Sequence, residues 1–226
     1  MNFSLQQNHL NRRHCIALAA ILAGSGICSS ALAVVNPPAH PVNTILVLGD
    51  SLSAEYGLKR GSGWVALLAQ QLQAEKINAR VVNASISGDT TSGGRARLGA
   101  LLMQHRPTLL VVELGANDAL RGLPLALTRG NLLAMTRQAQ QTGARVLLLG
   151  MQMPPNYGRE YSQRFADMYA EVAKTTQAAL VPFLLAGIAD APDSMAWFQA
   201  DRIHPKEEAQ PRMLANVWPT LKKGLQ

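Results

Sequence analysis

Cysteine is nearly absent from this chain of 226 residues, which contains only Cys15 and Cys28. Both lie within the first 33 residues, a segment with the features of a cleaved signal. The rest of the chain therefore has no disulfide to stabilise it and no thiol to act as a nucleophile. Aromatic residues are also few, at 5%. They are not interleaved with basic residues, so we expect no nucleic-acid partner.

The N-terminal 33 residues have the three parts of a secretory signal peptide. Arg12 and Arg13 are basic, residues 16–27 form an apolar run, and residues 31–33 (Ala-Leu-Ala) form a small-x-small cleavage site. The alternative is a membrane anchor, but the run is too short to span about 30 Å of hydrocarbon. We predict cleavage near Ala33, a periplasmic or secreted protein, and a proline-rich leader over residues 34–43.

Excess positive charge is modest and spread along the chain. The formal net charge is +7, and only Lys222 and Lys223 form a basic pair near the C-terminus. Such a surface allows transient contact with anionic membrane lipid, although a solvated surface is the simpler interpretation. We expect a monomer.

After the leader, short apolar runs alternate with segments of helical spacing. This alternation predicts an α/β domain over residues 44–226 with a parallel sheet of four to five strands and helices on both faces. It is typical of a flavodoxin-like, doubly wound, three-layer sandwich, which binds ligands at the carboxyl ends of its strands. The predicted strands are 44–48, 80–83, 109–114, 146–149 and 181–185. The predicted helices are 64–75, 96–104, 125–141, 162–179 and 207–221, with breaks expected at Pro211 and Pro219.

Four short polar blocks mark the ends of these segments. They are residues 49–53 (Gly-Asp-Ser-Leu-Ser), 87–90 (Ser-Gly-Asp-Thr), 115–118 (Gly-Ala-Asn-Asp) and 201–205 (Asp-Arg-Ile-His-Pro). The first three each follow a predicted strand, so they are expected at one edge of the sheet. Together the four blocks supply a hydroxyl, a backbone N–H donor, a side-chain amide donor and an Asp/His pair. These are the groups needed to hydrolyse an ester through an acyl-enzyme.

Ser51 is the candidate nucleophile, although the same position suits a helix N-cap. Of the histidines beyond the signal and leader, His105 ends a predicted helix and suits a solvent-facing cap. His204 has Asp201 three residues before it, close enough to fix the imidazole tautomer and stabilise its cation. The alternative is an ordinary surface contact between Asp201 and His204. Elimination of the other histidines favours a catalytic Ser51, His204 and Asp201.

The oxyanion of such a reaction needs hydrogen-bond donors. Gly88 can bring its N–H close because it has no side chain, Asn117 can offer its side-chain amide, and the N–H of Ser51 is a third donor. A plain turn at residues 87–89 and a helix cap at 117–118 are the alternatives. Their positions at the ends of predicted strands favour the oxyanion hole.

The four blocks resemble those of the SGNH (GDSL) hydrolases, in the branch of bacterial thioesterases, lysophospholipases and arylesterases. Ser51, Gly88, Asn117 and His204 match the four letters, and Asp201 completes the triad. The resemblance covers nearly the whole mature chain. It implies a flavodoxin-like sheet, no metal and no cofactor, and hydrolysis of thioesters, lysophospholipids and aryl or short acyl esters.

Two positions depart from that pattern. Glu55 and Arg202 stand where the branch usually has glycine. Both side chains are bulky and charged, so they bear on substrate preference rather than on the class of reaction.

Substrate contacts are predicted in the loops that follow the blocks. An apolar acyl chain suits leucine contacts, a glycine hinge and a flexible methionine wall. The alternative is that these leucines and methionines belong to the hydrophobic core and do not contact substrate. The predicted substrate-binding residues are Leu120, Gly122, Leu123, Pro124, Met153, Tyr157 and Ile203, with Met151 and Pro154 in the same wall.

We therefore predict a serine ester or thioester hydrolase that acts on small acyl substrates. A carbohydrate acetylesterase of the same fold is an alternative, but aromatic sugar platforms are scarce in this chain. An exported lipid-binding module on an inactive hydrolase scaffold is another, but neither the nucleophile nor the base is missing.

Overall fold

The computed structural model describes residues 43–225. Five strands and six α-helices are present in this range: β1 (Asn43–Gly49), α1 (Trp64–Ala74), β2 (Ala79–Asn83), α2 (Thr91–His105), β3 (Leu109–Glu113), α3 (Ala116–Leu120), α4 (Leu125–Gln141), β4 (Arg145–Leu149), α5 (Arg159–Thr176), β5 (Ala179–Val181) and α6 (Gln210–Lys223). Short 3₁₀ helices occupy Pro155–Tyr157, Ser194–Trp197 and Glu207–Ala209.

The strands form one parallel sheet in the order β2-β1-β3-β4-β5. Helices α1 and α6 pack together, and α2, α4 and α5 form a second contiguous set. The sequence prediction of a flavodoxin-like, doubly wound α/β sandwich is therefore confirmed. The order of the strands reverses between β1 and β3, which is where this fold binds ligands.

The central strands are apolar because helices cover both of their faces. Residues 44–49 of β1 and all of β3 are buried. Glu113, the last residue of β3, is fully buried like the rest of the strand but carries a carboxyl group instead of an apolar side chain. The sheet is thus a rigid platform whose carboxyl edge carries the polar blocks.

The predicted last strand, 181–185, is wrong beyond its first residue. The strand is Ala179–Val181, and residues 183–185 lie buried in the following turn. Pro182 explains the stop, because it has no N–H with which to extend the ladder.

Three helix boundaries also differ from prediction. Helix α2 begins five residues earlier than predicted, at Thr91, because the Thr90 side chain caps it by accepting from the Gly93 N–H. Helix α5 begins and ends three residues earlier than predicted. Helix α6 is continuous through Pro219, so the expected break there is absent, and Pro211 lies within its first turn, where its missing N–H is tolerated.

Two sequence predictions concern the N-terminus. The signal peptide over residues 1–33 lies outside the described residues, as does all of the predicted leader except Asn43, which is the first residue of β1. Within residues 43–225, no helix is long and apolar enough to cross a membrane.

Candidate active site

The carboxyl edge of the sheet collects the first three blocks. Ser51 follows β1, Gly88 follows β2 and Asn117 lies in α3, directly after β3. The Ile86 N–H donates to the Gly49 carbonyl at 3.0 Å, which ties the residue just before the second block to the first block. Ser51 therefore lies at the topological switch point of the sheet.

The fourth block brings an imidazole to this edge. His204 Nε2 lies 2.9 Å from Ser51 Oγ, and His204 Nδ1 lies 2.7 Å from Asp201 Oδ2. The three residues are thus joined by hydrogen bonds in the order predicted from the sequence. With Nδ1–H donating to Asp201, the His204 Nε2 is free to accept the Ser51 proton.

Asp201 also fixes the backbone of its own loop. Its Oδ1 accepts hydrogen bonds from the N–H groups of Ile203 and His204, each at 3.0 Å. Partial burial alone raises the pKa of Asp201, but the hydrogen bonds from the His204 ring and these two amides outweigh it and lower the pKa to about 2. Asp201 is therefore an anion throughout the neutral range.

The loop that carries His204 is held by a second residue, Gln199. The Gln199 N–H donates to the His204 carbonyl at 2.8 Å. The Gln199 side-chain amide donates to the carbonyls of Tyr56 at 2.9 Å and Pro205 at 3.2 Å. This side chain connects the loop of the base to the loop of the nucleophile.

Tyr56 covers the imidazole from the other loop. Its ring centroid lies 4.3 Å from that of His204, at an interplanar angle of 37°. The Tyr56 side chain remains about half exposed. The Tyr56 ring thus packs against the imidazole and restricts its orientation.

Two backbone donors are available beside the nucleophile. Among residues 43–225, no hydrogen-bond acceptor is found for the N–H of Ser51 or of Gly88. Gly88 has a φ of +78°, a conformation that favours glycine. Its carbonyl accepts from Arg121 Nη2 at 2.8 Å, which fixes the orientation of this peptide.

Asn117 is positioned where the start of α3 approaches α5 closely. Gly115, the N-cap residue of α3, has a φ of +121°, and a Cβ at this residue would lie 2.4 Å from the Tyr169 hydroxyl. The Tyr169 hydroxyl donates to the Leu114 carbonyl at 3.0 Å. The Asn117 side-chain amide donates to Asp50 Oδ2 at 2.9 Å, so one of its two N–H bonds remains for another acceptor.

Asp50 and Glu113 form a buried acidic pair behind Ser51. The exposed fractions are 1% for Asp50 and 0% for Glu113. Burial raises the pKa of Asp50 to about 6, against hydrogen bonds from Leu52 and Asn117 that lower it. Burial, and then the neighbouring Asp50 charge, raise the pKa of Glu113 well above its ordinary value.

Glu55 and Arg202 both have left-handed backbones, with φ of +60° and +59°, which accounts for the glycine that is usual at each position. The Glu55 carboxylate accepts hydrogen bonds from the N–H groups of Gly61 and Gly63 at 2.9–3.1 Å. It therefore holds the loop that enters α1. The Arg202 side chain is exposed.

The predicted substrate-binding residues divide by exposure. Met153 is only 7% exposed and belongs to the hydrophobic core, as does Met151, which favours the alternative that these methionines are core residues. The others lie at the surface: Leu120, Gly122, Leu123, Pro124, Tyr157 and Ile203.

Sequence reasoning missed three contributors to the site. Glu113 was visible as the only charged residue in an apolar strand, but no function was inferred from it. Gln199 and Tyr56 act through contacts between loops that are far apart in the sequence. No local sequence pattern predicts these contacts. Within residues 43–225, no cluster of His, Cys, Asp or Glu suits a metal ion.

Comparison with known proteins agrees with this geometry. Residues 47–210 match the GDSL-like Lipase/Acylhydrolase family. The chain is 54% identical over 179 residues to the esterase TesA of Pseudomonas aeruginosa, which covers 79% of this chain and 88% of that protein. It is 42% identical over 173 residues to thioesterase 1/protease 1/lysophospholipase L1 of Escherichia coli, covering 76% and 80%.

A solved structure is similar throughout its length. The psychrotrophic esterase EstA from Pseudoalteromonas sp., in a form inhibited by monoethylphosphonate, has 42% identity and a TM-score of 0.76 and covers 81% of this chain and 98% of that one. The fold and these relatives define a carboxylic ester hydrolase. The chain belongs to the GDSL-like Lipase/Acylhydrolase family, whose members are also called SGNH hydrolases.

Proposed function

We propose that the chain hydrolyses acyl thioesters, lysophospholipids and aryl or short-to-medium acyl esters through an acyl-enzyme on Ser51. The observation that carries the proposal is the position of His204, 2.9 Å from Ser51 Oγ and 2.7 Å from Asp201. In this arrangement the hydroxyl is the nucleophile and the imidazole is the base that takes its proton. The carboxylate stabilises the positive charge that the imidazole then carries.

The reaction starts when His204 Nε2 takes the Ser51 proton as Ser51 Oγ attacks the acyl carbonyl. The N–H groups of Ser51 and Gly88 and the free N–H of the Asn117 amide bind the oxyanion. His204 then protonates the leaving alcohol or thiol. A water molecule, deprotonated by His204, releases the acid and regenerates Ser51.

Apolar acyl groups are the preferred substrates in this proposal. Within residues 43–225, nine large hydrophobic side chains are exposed, and five of them lie in or within five residues of the blocks: Tyr56, Ile86, Leu120, Leu123 and Ile203. A sixth, Tyr157, lies in the 3₁₀ helix after β4. Their exposure supports contact with an acyl chain or with the surface of a lipid aggregate. The thioesterase and lysophospholipase names of the E. coli relative point to the same substrates.

The first test compares p-nitrophenyl esters from acetyl to palmitoyl with three proteins: wild type, Ser51→Ala and Ser92→Ala. Ser92 is exposed on α2 and is a matched control. We expect Ser51→Ala to abolish hydrolysis and Ser92→Ala to retain it. Equal activity in Ser51→Ala would exclude Ser51 as the nucleophile. Binding of fatty acid by a folded wild type without hydrolysis would establish the lipid-binding alternative.

A phosphonate ester gives a second readout that does not depend on turnover. Attack of Ser51 Oγ on p-nitrophenyl ethylphosphonate forms a Ser–O–P bond and expels p-nitrophenolate. We expect a single adduct, located by mass spectrometry on the peptide that contains Ser51. An adduct on another serine would contradict the assignment.

The choice among substrates is tested by competition between palmitoyl-CoA, lysophosphatidylcholine and p-nitrophenyl butyrate. The ratio of their kcat/KM values ranks the three classes directly. A rise in lysophosphatidylcholine hydrolysis above its aggregation concentration would support transient contact with lipid surfaces. Sedimentation of the mature protein tests our expectation of a monomer.

We also propose that residues 1–33 direct export, with cleavage near Ala33. The basic residues, apolar run and Ala-Leu-Ala motif support this. Expression of the full chain in a Gram-negative host, followed by fractionation and N-terminal sequencing, tests it. A cytoplasmic product that retains Met1 would contradict export.

A further inference from the structure

Glu113 is an acid at the end of an otherwise apolar strand. It is fully buried on β3, beside Gly49 of β1 in the register of the sheet. Ionising a carboxyl group there costs several kcal/mol unless a cation or several donors compensate for the lost water. In the described part of the chain, neither Glu113 nor Asp50 forms an ion pair with lysine or arginine.

The hydrogen bonds to Glu113 all fall on one oxygen. Glu113 Oε2 accepts from Ser53 Oγ at 2.8 Å and from the Asp50 N–H at 3.3 Å. Ser53 Oγ itself accepts from Trp64 Nε1 at 3.2 Å, so its own hydrogen is directed to Glu113. With two donors on Oε2, any proton on Glu113 belongs on Oε1.

The second oxygen is the unusual one. Glu113 Oε1 is completely buried and receives no hydrogen bond from any donor in the described residues. A bare carboxylate oxygen in this position leaves a charged acceptor unsatisfied, which is strongly unfavourable. A hydroxyl on Glu113 resolves this by donating to Asp50, and a side-chain hydrogen bond between the two carboxyl groups lowers the pKa of Asp50 and raises that of Glu113.

Asp50 connects this pair to the site. Its Oδ1 accepts from the Leu52 N–H at 3.1 Å, and its Oδ2 accepts from Asn117 Nδ2 at 2.9 Å. Because a carboxylate can only accept, this contact fixes which end of the Asn117 amide carries the N–H groups. One N–H is used by Asp50, and the other is available to an oxyanion.

We propose that Glu113 is a positioning residue that stays a neutral carboxylic acid in the active enzyme and donates its proton to Asp50, so that one shared negative charge holds the Asn117 amide in its oxyanion-binding orientation. This inference rests on the proposed function, since it assigns Asn117 to the oxyanion hole. It extends that function by adding a buried proton that keeps a second negative charge away from the developing oxyanion.

One basic group, His204, acts on the pair, and its charge lowers the pKa of Asp50. Tyr169 lies on the α5 side with a pKa raised well above its ordinary value by burial, and then by Glu113, Asp50 and Asp118, so it stays neutral. Tyr169 therefore adds no competing negative charge to the pair near neutral pH.

The kinetic test uses two substitutions of similar size. Glu113→Gln keeps an acceptor for Ser53 and a neutral donor for Asp50, whereas Glu113→Met keeps neither. We expect kcat to stay within about threefold for Glu113→Gln and to fall about 10²-fold for Glu113→Met, with KM nearly unchanged, as when one oxyanion donor is lost. Full activity in Glu113→Met would overturn the proposal.

A double substitution separates positioning from general damage. In an Asn117→Ala background, Glu113→Met should cause almost no further loss of kcat, because both act through the same donor. An additive loss would show a structural role only and would refute the positioning role. Unchanged kcat in Asn117→Ala alone would instead refute the proposed oxyanion hole.

The proton can be observed directly, even if Glu113→Met fails to fold. At pH 8, the infrared spectrum of the wild type should contain the carbonyl band of a protonated carboxylic acid. The band should persist in the surface control Glu160→Gln and vanish in Glu113→Gln. Absence of the band in the wild type, or its survival in Glu113→Gln, would overturn the proposal without bearing on the Ser51 mechanism.

Discussion

The side-chain amide of Gln199 lies 2.9 Å from the backbone carbonyl of Tyr56 and thereby joins the His204 loop to the Ser51 loop. A Cβ at Gly57 would lie 2.1 Å from Gln199 Oε1, so the glycine after Tyr56 makes room for this contact. The distance between base and nucleophile is set by a bond between two surface loops and not by the sheet alone.

Substitution Gln199→Leu should lower kcat/KM by about 10- to 100-fold, because small displacements of a catalytic group are costly. The exposed Gln70→Leu on α1 is the matched control and should be unaffected. Phosphonate titration counts the folded sites, so that kcat refers to active protein alone. A wild-type kcat in Gln199→Leu would show that the sheet and the turns are enough to position His204 beside Ser51.

Asp201→Asn should lower kcat by about 10⁴-fold with little change in KM, because the amide no longer selects the productive imidazole tautomer. Steady-state hydrolysis of p-nitrophenyl butyrate measures the loss. The exposed Asp193→Asn is the control. A loss below tenfold would mean that His204 is oriented by its backbone contacts instead.

The same carboxylate predicts a pH dependence of stability. The pKa of Asp201 falls from an ordinary 3.8 to about 2 in the folded protein. Its stabilisation is thus fully present above pH 4 and is lost as the pH falls toward 2. Because the side chain is about a third exposed, the effect should not exceed about 1 kcal/mol.

Urea unfolding of wild type and Asp201→Asn between pH 5 and pH 2 measures that contribution. The difference in unfolding free energy between the two proteins should shrink as the pH falls. A difference that grows would reverse the sign of the argument.

Arg202→Gly should stabilise the fold by about 0.5–1 kcal/mol, since relief of a left-handed backbone exceeds the added freedom of the unfolded chain. Arg202→Ala keeps the strain and is the control. Glu55→Gly should not be stabilising, because it also removes the hydrogen bonds to Gly61 and Gly63. Chemical denaturation ranks the three variants, and equal gains at both positions would contradict this account.

Leu123→Ala should change the acyl chain-length preference more than the rate on an acetyl ester. Leu123 is 38% exposed in the loop after Asn117, whereas the control Leu127 is 63% exposed on α4. The p-nitrophenyl ester series measures both variants. An unchanged profile in Leu123→Ala would remove this loop from the acyl site.

Local signals were enough to predict most of the architecture. Apolar runs located four of the five strands, and the first three polar blocks fell after strands, where a parallel sheet brings them together. The fifth strand was misplaced because residues 183–185 are apolar for packing, while Pro182 ends the ladder. Helix α3 was missed because five residues are too few to show a period, although a helix cap at Asn117 had been considered.

The hydrogen-bonded group of Ser51, His204 and Asp201 could be picked out because few histidines remained to choose from. The contacts that position these three residues could not be predicted. Gln199 and Glu113 act through partners 143 and 63 positions away, at Tyr56 and Asp50. A single sequence gives no sign of such pairs until the fold brings them together.

Ser51 and His204 are separated by 153 positions, and four of the five strands lie between them in the sequence. During synthesis, the nucleophile emerges early and the base among the last residues before α6. A partly made chain therefore displays a serine on a growing sheet with no imidazole to activate it. Hydrolysis by Ser51 and His204 therefore cannot begin until nearly all of the chain has been made and folded.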